Sequence, residues 1–277
     1  MTSPLISVTE LTEALEGPRP PRLLDCRARL GDPDAGHGLW WAAHLPGSYH
    51  LDLDRDLAAR PGQGGRHPLP GHAAFTATLQ RLGITPEVPV VVYDDMGGQL
   101  AAARAWWMIA CWAGHPDARL LDGGIQAWTG GGGDLAEGDR PLPRPSAWTP
   151  AFYDEQRVSA DQVFSGRALK VDARSRERFR GEAEPIDPVA GHIPGAVCRP
   201  SADNLTPAGH FKSSAQLATE LPEAEEVIAY CGSGVTACHD ILAYAVAGRA
   251  LPRLYPGSWS EWVRDPSRPV AQGGQAK

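Results

Sequence analysis

Glu226-Val-Ile-Ala-Tyr-Cys-Gly-Ser-Gly-Val-Thr-Ala-Cys-His-Asp-Ile-Leu-Ala-Tyr-Ala-Val246 reads as a strand, a tight turn and a helix. The apolar run ending at Tyr230 has the length of a buried strand, and the stretch from Asp240 onward reads as a helix. Cys231 therefore sits where a strand hands over to a helix, among small residues. Main-chain N–H groups of such a turn point inward, and the helix N-terminus adds positive potential. Both favour the thiolate, which is the nucleophilic form of cysteine. A cysteine that only packs is the common alternative, but packing does not require the flanking Gly232 and Gly234. These glycines let the backbone curl around the sulfur without a Cβ clash.

Working outward from this loop, the two halves of the chain repeat one another. Leu23-Leu-Asp-Cys-Arg27 matches Lys170-Val-Asp-Ala-Arg174, and His44-Leu-Pro-Gly-Ser48 matches His192-Ile-Pro-Gly-Ala196. Val90-Val-Val-Tyr93 matches Val227-Ile-Ala-Tyr230, and Leu121-Asp-Gly-Gly-Ile-Gln-Ala-Trp128 matches Tyr255-Pro-Gly-Ser-Trp-Ser-Glu-Trp262. The order is kept, with offsets between about 130 and 150 residues. Ser7-Val-Thr-Glu10 and Ser159-Ala-Asp-Gln162 each have capping-box form at the start of a half. Short Val/Ile/Leu strands alternate with helical stretches such as Leu100 to Trp112 and Ala237 to Ala247, which predicts βαβ units and a mostly parallel sheet. The Gly/Pro-rich run from Thr129 to Pro145 marks a connection. The expected architecture is α/β: two similar domains, residues 1–140 and 150–277, each with a central sheet flanked by helices. Aligned on Tyr93 and Tyr230, Asp94 occupies the position of Cys231. An aspartate cannot attack sulfur, so the first domain is expected to be chemically silent.

Composition narrows the function. A net charge of -7 argues against nucleic acid or an anionic membrane as the main partner. No apolar run approaches the roughly 20 residues of a membrane span. The N-terminus lacks the basic start and apolar core of a signal peptide, and a cytoplasmic location is expected. Cys26, Cys111, Cys198, Cys231 and Cys238 form an odd set at irregular spacing, with no CxxC pattern, which fits reduced thiols rather than a disulfide framework or a zinc site. Cys26 and Cys111 read as structural and Cys238 as helix packing. No nucleotide-binding loop, haem motif or metal cluster is present, and no cofactor or metal is expected. The tryptophan pairs Trp40-Trp41 and Trp106-Trp107 read as core and interface packing.

The two Asp-x-Arg strands, the paired His-x-Pro-Gly turns, the Asp-Gly-Gly-Ile-x-Ala-Trp segment and the Cys231 loop together resemble the tandem-domain rhodanese-like sulfurtransferases over nearly the whole chain. The resemblance implies two rhodanese-like domains, with the active cysteine in the second. It implies that the cysteine takes a sulfane sulfur from a small-molecule donor as a persulfide and passes it to a nucleophilic acceptor. That acceptor would be a thiol such as thioredoxin, a small thiol, or cyanide. The chemistry agrees with covalent catalysis by cysteine. Main-chain N–H groups of Gly232, Ser233, Gly234, Val235, Thr236 and Ala237 are expected to stabilise the outer sulfur, as an oxyanion hole stabilises oxygen. Cysteine phosphatases use a similar scaffold but require an arginine six positions after the cysteine, where this chain has Ala237.

The form Cys-Gly-Ser-Gly-Val-Thr-Ala resembles the 3-mercaptopyruvate branch of the family; the thiosulfate branch typically has basic residues directly after the cysteine. The resemblance implies a proton relay of Ser233, His67 and Asp54, and a substrate carboxylate held by Arg178. Read alone, His67 is an exposed loop histidine, Asp54 a strand-end aspartate, Ser233 a helix cap and Arg178 a surface cation. The branch's second arginine falls at Ile186, in Glu184-Pro-Ile-Asp-Pro188, so that half of the clamp is missing. Arg199 is the other cation in reach along the sequence. 3-Mercaptopyruvate is favoured over thiosulfate as donor, and the missing arginine leaves thiosulfate or another sulfane compound open. A non-catalytic sulfur carrier or redox-sensing module using Cys231 is the alternative, and a binding protein with both domains silent is a third reading that Cys231 disfavours.

Overall fold

The computed structural model describes residues 3–274. Nine strands are β1 (Leu5–Ile6), β2 (Arg22–Asp25), β3 (Tyr49–His50), β4 (Val90–Tyr93), β5 (Ala118–Leu121), β6 (Leu169–Asp172), β7 (Ala196–Cys198), β8 (Val227–Tyr230) and β9 (Arg253–Leu254) among the described residues. Helices in the first half are α1 (Val8–Glu16), α2 (Ala35–Ala42), α3 (His72–Arg81), α4 (Ala102–Trp106) and α5 (Gly124–Gly130). Those in the second half are α6 (Ala160–Ser165), α7 (Arg176–Arg180), α8 (Ser214–Glu220), α9 (Ala237–Val246) and α10 (Ser258–Trp262). Both expected capping boxes form, at Ser7 with Glu10 and at Ser159 with Gln162.

The strands make two sheets, in the orders β1-β5-β4-β2-β3 and β7-β6-β8-β9. Every pairing is parallel. The repeat is visible in the register: Asp25 pairs with Tyr93 in the first sheet, and Asp172 with Tyr230 in the second. The two cores use matching positions as well. Leu45, Tyr93, Ile125 and Trp128 lie in one, and Ile193, Tyr230, Trp259 and Trp262 in the other. In open parallel sheets, sites form beyond the carboxyl ends of strands where the order reverses. In the second sheet that point lies between β6 and β8, directly before Cys231.

The chain divides into two compact units that follow its two halves with two exchanges. Unit 1 holds the residues up to Ala59, Pro70–Tyr153 and the short stretch Pro207–Phe211; unit 2 holds Arg60–Leu69, Asp154–Thr206 and the chain from Lys212 onward. Two expectations need correction. The stretch from Leu100 to Trp112 is not one α-helix: α4 passes at Trp107 into a π-helix that runs to Trp112. Trp107 and Trp112 are both fully packed, and the wider i to i+5 turn sets their rings against each other, stacked with centroids 6.4 Å apart. The pair Trp40-Trp41 is split, with Trp40 buried and Trp41 51% exposed.

Candidate active site

Cys231 follows β8 immediately and is buried, 2% exposed. Its own N–H donates to Ser258 Oγ at 3.1 Å, and its carbonyl accepts from Trp259 N at 3.0 Å. The Gly232 carbonyl accepts from Ser260 N at 2.9 Å. The start of α10 thus locks the base of the loop. Gly234 has φ +75°, and a Cβ there would lie 2.2 Å from the Pro256 carbonyl oxygen, so this position requires glycine. Beyond these contacts, the main-chain N–H groups of Gly232, Ser233, Val235, Thr236 and Ala237 donate to no protein acceptor among the described residues. Unsatisfied donors on a largely buried loop at a helix N-terminus form a site for negative charge.

The other copy shows what such a loop holds. Asp94, fully packed after β4, accepts through Oδ1 from Met96 N at 2.9 Å and Gly98 N at 2.8 Å, and through Oδ2 from Ala102 N at 3.4 Å. Its carbonyl accepts from Ile125 N at 3.0 Å, as the Cys231 carbonyl does from Trp259 N. Burial pushes the Asp94 carboxyl up, while the three amides pull it down. In unit 1 the loop amides close on an anion carried by the residue at the cysteine position. In unit 2 Cys231 takes the place of that aspartate.

Around Cys231, unit 2 gathers most of the residues singled out from sequence. The ring nitrogen Nδ1 of His67 lies 2.8 Å from Ser233 Oγ. His67 reaches it because Arg60–Leu69 belongs to unit 2: Arg66 N donates to Ser260 Oγ at 3.1 Å. Arg178 binds Glu184 through two nitrogens, at 2.7 and 3.2 Å, and Asp187 at 3.3 Å. Asp187 also accepts a close hydrogen bond from Arg66. Burial raises the Asp187 carboxyl against the pull of Arg66 and Arg178; at Glu184 the hydrogen bonds from Arg178 and main-chain N–H groups outweigh burial and hold it low. Asp54 lies in unit 1, where its N–H donates to Asp52 Oδ1 at 2.8 Å; partial desolvation and the Asp52 charge raise its carboxyl. Arg199 does not complete a clamp. Its guanidinium is committed to Asn204, the Asp203 carbonyl and Glu220.

A profile described as "Rhodanese-like domain" matches residues 7–130 and 157–265. The chain belongs to the rhodanese-like domain family. It is 47% identical over 265 residues to a Pseudomonas aeruginosa protein named "Probable 3-mercaptopyruvate sulfurtransferase", covering 91% of this chain and 92% of that one. It is 42% identical to the Mycobacterium tuberculosis "Putative thiosulfate sulfurtransferase SseB", covering 97% of each. The solved 3-mercaptopyruvate sulfurtransferase from Leishmania major superposes with a TM-score of 0.83 at 31% identity, covering 95% of this chain and 75% of that one.

This rhodanese-like chain carries four further cysteines. Burial and the Asp25 and Asp94 charges drive the Cys26 thiol well above its ordinary range, and burial pushes Cys111 and Cys198 up to about 12. Cys238 lies in α9, its sulfur 3.5 Å from the Gly234 carbonyl. Three residues of the site are not among the sequence-based candidates: Arg66, Asp187 and Ser258. The signal for Ser258 was in the repeat itself, which sets it opposite Gly124. Arg66 carries no signal in the sequence beyond its position next to His67.

Proposed function

We propose that the chain is a sulfurtransferase that carries sulfur on Cys231, with 3-mercaptopyruvate favoured over thiosulfate as donor. The observation that carries this reading is the set of loop amides around Cys231 that lack protein acceptors, together with the Asp94 carboxylate held by the same loop in the repeat. The Cys231 thiolate attacks the donor sulfur. The carbon–sulfur bond of mercaptopyruvate breaks, its electron pair passes to the departing carbon as an enolate, and the donor's thiol proton ends on that carbon to give pyruvate. The outer sulfur of the persulfide keeps the negative charge, which the amides of Gly232 to Ala237 stabilise. A thiolate or cyanide then attacks that sulfur, the S–S bond breaks, and the Cys231 thiolate returns. Thioredoxin, a small thiol and cyanide all meet the chemistry of the acceptor.

His67 and Ser233, in hydrogen-bond contact, are the proton-moving pair of this reading, with Asp54 as the third member. Thiosulfate has no thiol proton and needs no such relay. The 3-mercaptopyruvate name of the Pseudomonas relative supports the same donor. Five cysteines outside any disulfide fit a reducing, cytoplasmic compartment, and no helix among the described residues is long and apolar enough to cross a membrane.

Steady-state assays with each donor and cyanide test the proposal. Multiple turnovers with 3-mercaptopyruvate are expected, falling to background in Cys231→Ser. One equivalent of persulfide without turnover would instead identify a sulfur carrier. Turnover surviving in Cys231→Ser would refute the site.

A further inference from the structure

The donor reading above leaves the anion clamp incomplete, because Ile186 stands where a second arginine is expected. Its side chain is 48% exposed, and its N–H donates to Glu184 Oε1 at 3.2 Å. Another guanidinium lies at the loop. A Cβ placed on Gly232 would come within 2.8 Å of Arg66 Nη2 and 3.4 and 3.5 Å of Arg178 Nη1 and Nη2. Two cations from distant parts of the sequence therefore converge beside the residue that follows Cys231. Both are held in place by carboxylates. Arg66 Nη1 is bound to Asp187 Oδ1, and Arg178 is bound to Glu184 and Asp187 Oδ2. Arg66 Nη2 and Arg178 Nη1 donate to no acceptor among the described residues.

We propose that Arg66 supplies the second guanidinium of the donor-binding site, replacing the arginine absent at position 186, and pairs with Arg178 to hold the donor's carboxylate beside Gly232. The proposal rests on the sulfurtransferase reading for the identity of the donor, but not for the anion site itself. Asp187 bridges the two guanidiniums, so they are set apart by the width of one carboxylate. Arg66, Arg178, Glu184 and Asp187 together sum to zero charge, which suits a singly charged carboxylate better than a dianion such as thiosulfate. Planar forked donors suit a carboxylate, and a lysine would not reproduce them. A Cβ at Gly232 would press on Arg66 Nη2, so the glycine leaves open the space beside that guanidinium.

Pyruvate, the carboxylate left after sulfur transfer, probes the site without turnover. In Cys231→Ser protein, calorimetry should detect pyruvate binding, and adding Arg66→Gln should weaken it about 10-fold to 100-fold, the loss expected for hydrogen bonds to a charged group. Arg66→Lys keeps a charge for Asp187 but lacks the free N–H fork. It should fold as the parent, with an unchanged thermal midpoint, and still bind pyruvate several-fold more weakly. In the otherwise unaltered enzyme, Arg66→Gln should raise KM for 3-mercaptopyruvate more than it lowers kcat, and should affect thiosulfate less. Pyruvate binding that is absent in Cys231→Ser, or unchanged by both Arg66 substitutions, overturns the proposal. If the protein transfers no sulfur yet binds pyruvate in an Arg66-dependent way, the sulfurtransferase reading fails and the anion site stands.

Discussion

Ser258 has φ +53°, and among the described residues it is the one non-glycine with a left-handed backbone. Such a conformation costs a residue with a Cβ about 1–2 kcal/mol. Its counterpart in the repeat, Gly124, has φ +59°, and a Cβ there would lie 2.2 Å from the Asp94 carbonyl oxygen. The same backbone is thus kept in both copies, and only the copy with the cysteine spends a side chain on it. That side chain is fully buried, accepts from Cys231 N and donates to the Tyr255 carbonyl at 2.9 Å. Ser258→Ala keeps the strain and orphans the Cys231 N–H, and should destabilise the protein by about 1–3 kcal/mol. Ser258→Gly orphans the same N–H but relieves the backbone, and should be about 1 kcal/mol more stable than the alanine variant. Urea unfolding of the two variants measures the difference; a glycine variant no more stable than the alanine variant would show that the backbone is not strained.

At the level of elements, α9 was legible because its flanks are informative: a strand and a glycine-bracketed turn precede it, and Gly248 follows. The helix runs from Ala237 to Val246, within a residue of the expected end. The π-helix at Trp107–Trp112 was not legible, because Trp-Met-Ile-Ala-Cys-Trp is apolar at every position and carries no periodicity from which to read a change of pitch. Helix α9 is itself buried at every residue from Ala237 to Tyr244, so its polar side chains must be satisfied inside. Asp240 Oδ1 accepts from Asn204 Nδ2 at 2.7 Å, while Oδ2 has no partner among the described residues. Burial pushes its carboxyl up to about 8; Asn204 and Arg199 pull it down, and Asp172 and Asp203 add to the rise. The folded chain then holds a proton that the unfolded chain releases near pH 4, so stability declines as pH rises from about 4 to about 8. Asp240→Asn carries no such slope. Its unfolding free energy relative to the parent, from urea titrations, should be higher at pH 8 than at pH 5 by an amount on the order of 1 kcal/mol or more. The reverse order would mean that Asp240 is ionised in the fold.

At the scale of the molecule, duplication was the most readable property, because each half repeats residues whose roles are geometric. Tyr93 and Tyr230 both accept from the His-x-Pro-Gly turns, at Leu45 N and Ile193 N, and Arg27 and Arg174 both fork onto the aspartate two residues earlier. What the duplication hides is the exchange of Arg60–Leu69 into unit 2, since no repeat and no hydrophobic period marks a loop that docks through its backbone. The docking depends on Gly65. It has φ +96° and exchanges two hydrogen bonds of 3.0 Å with Gly62, and a Cβ on it would lie 2.6 Å from Ser260 Oγ and 2.8 Å from the Gly257 carbonyl oxygen. Gly65→Ala must therefore shift the segment away from Ser260, breaking the Arg66 N–H bond and displacing both Arg66 and His67 from the Cys231 loop. Gly62→Ala is the control, because a Cβ there meets only the Arg60 carbonyl oxygen at 3.9 Å. Hydrogen exchange should show the Arg66 amide deprotected in Gly65→Ala and protected in Gly62→Ala. The KM for 3-mercaptopyruvate should rise about 10-fold or more in the first variant only, following the loss of a charged hydrogen bond. Equal behaviour of the two variants would mean that the segment is held by its side chains, and that the second unit does not need the glycine to bring a base and a cation to its sulfur.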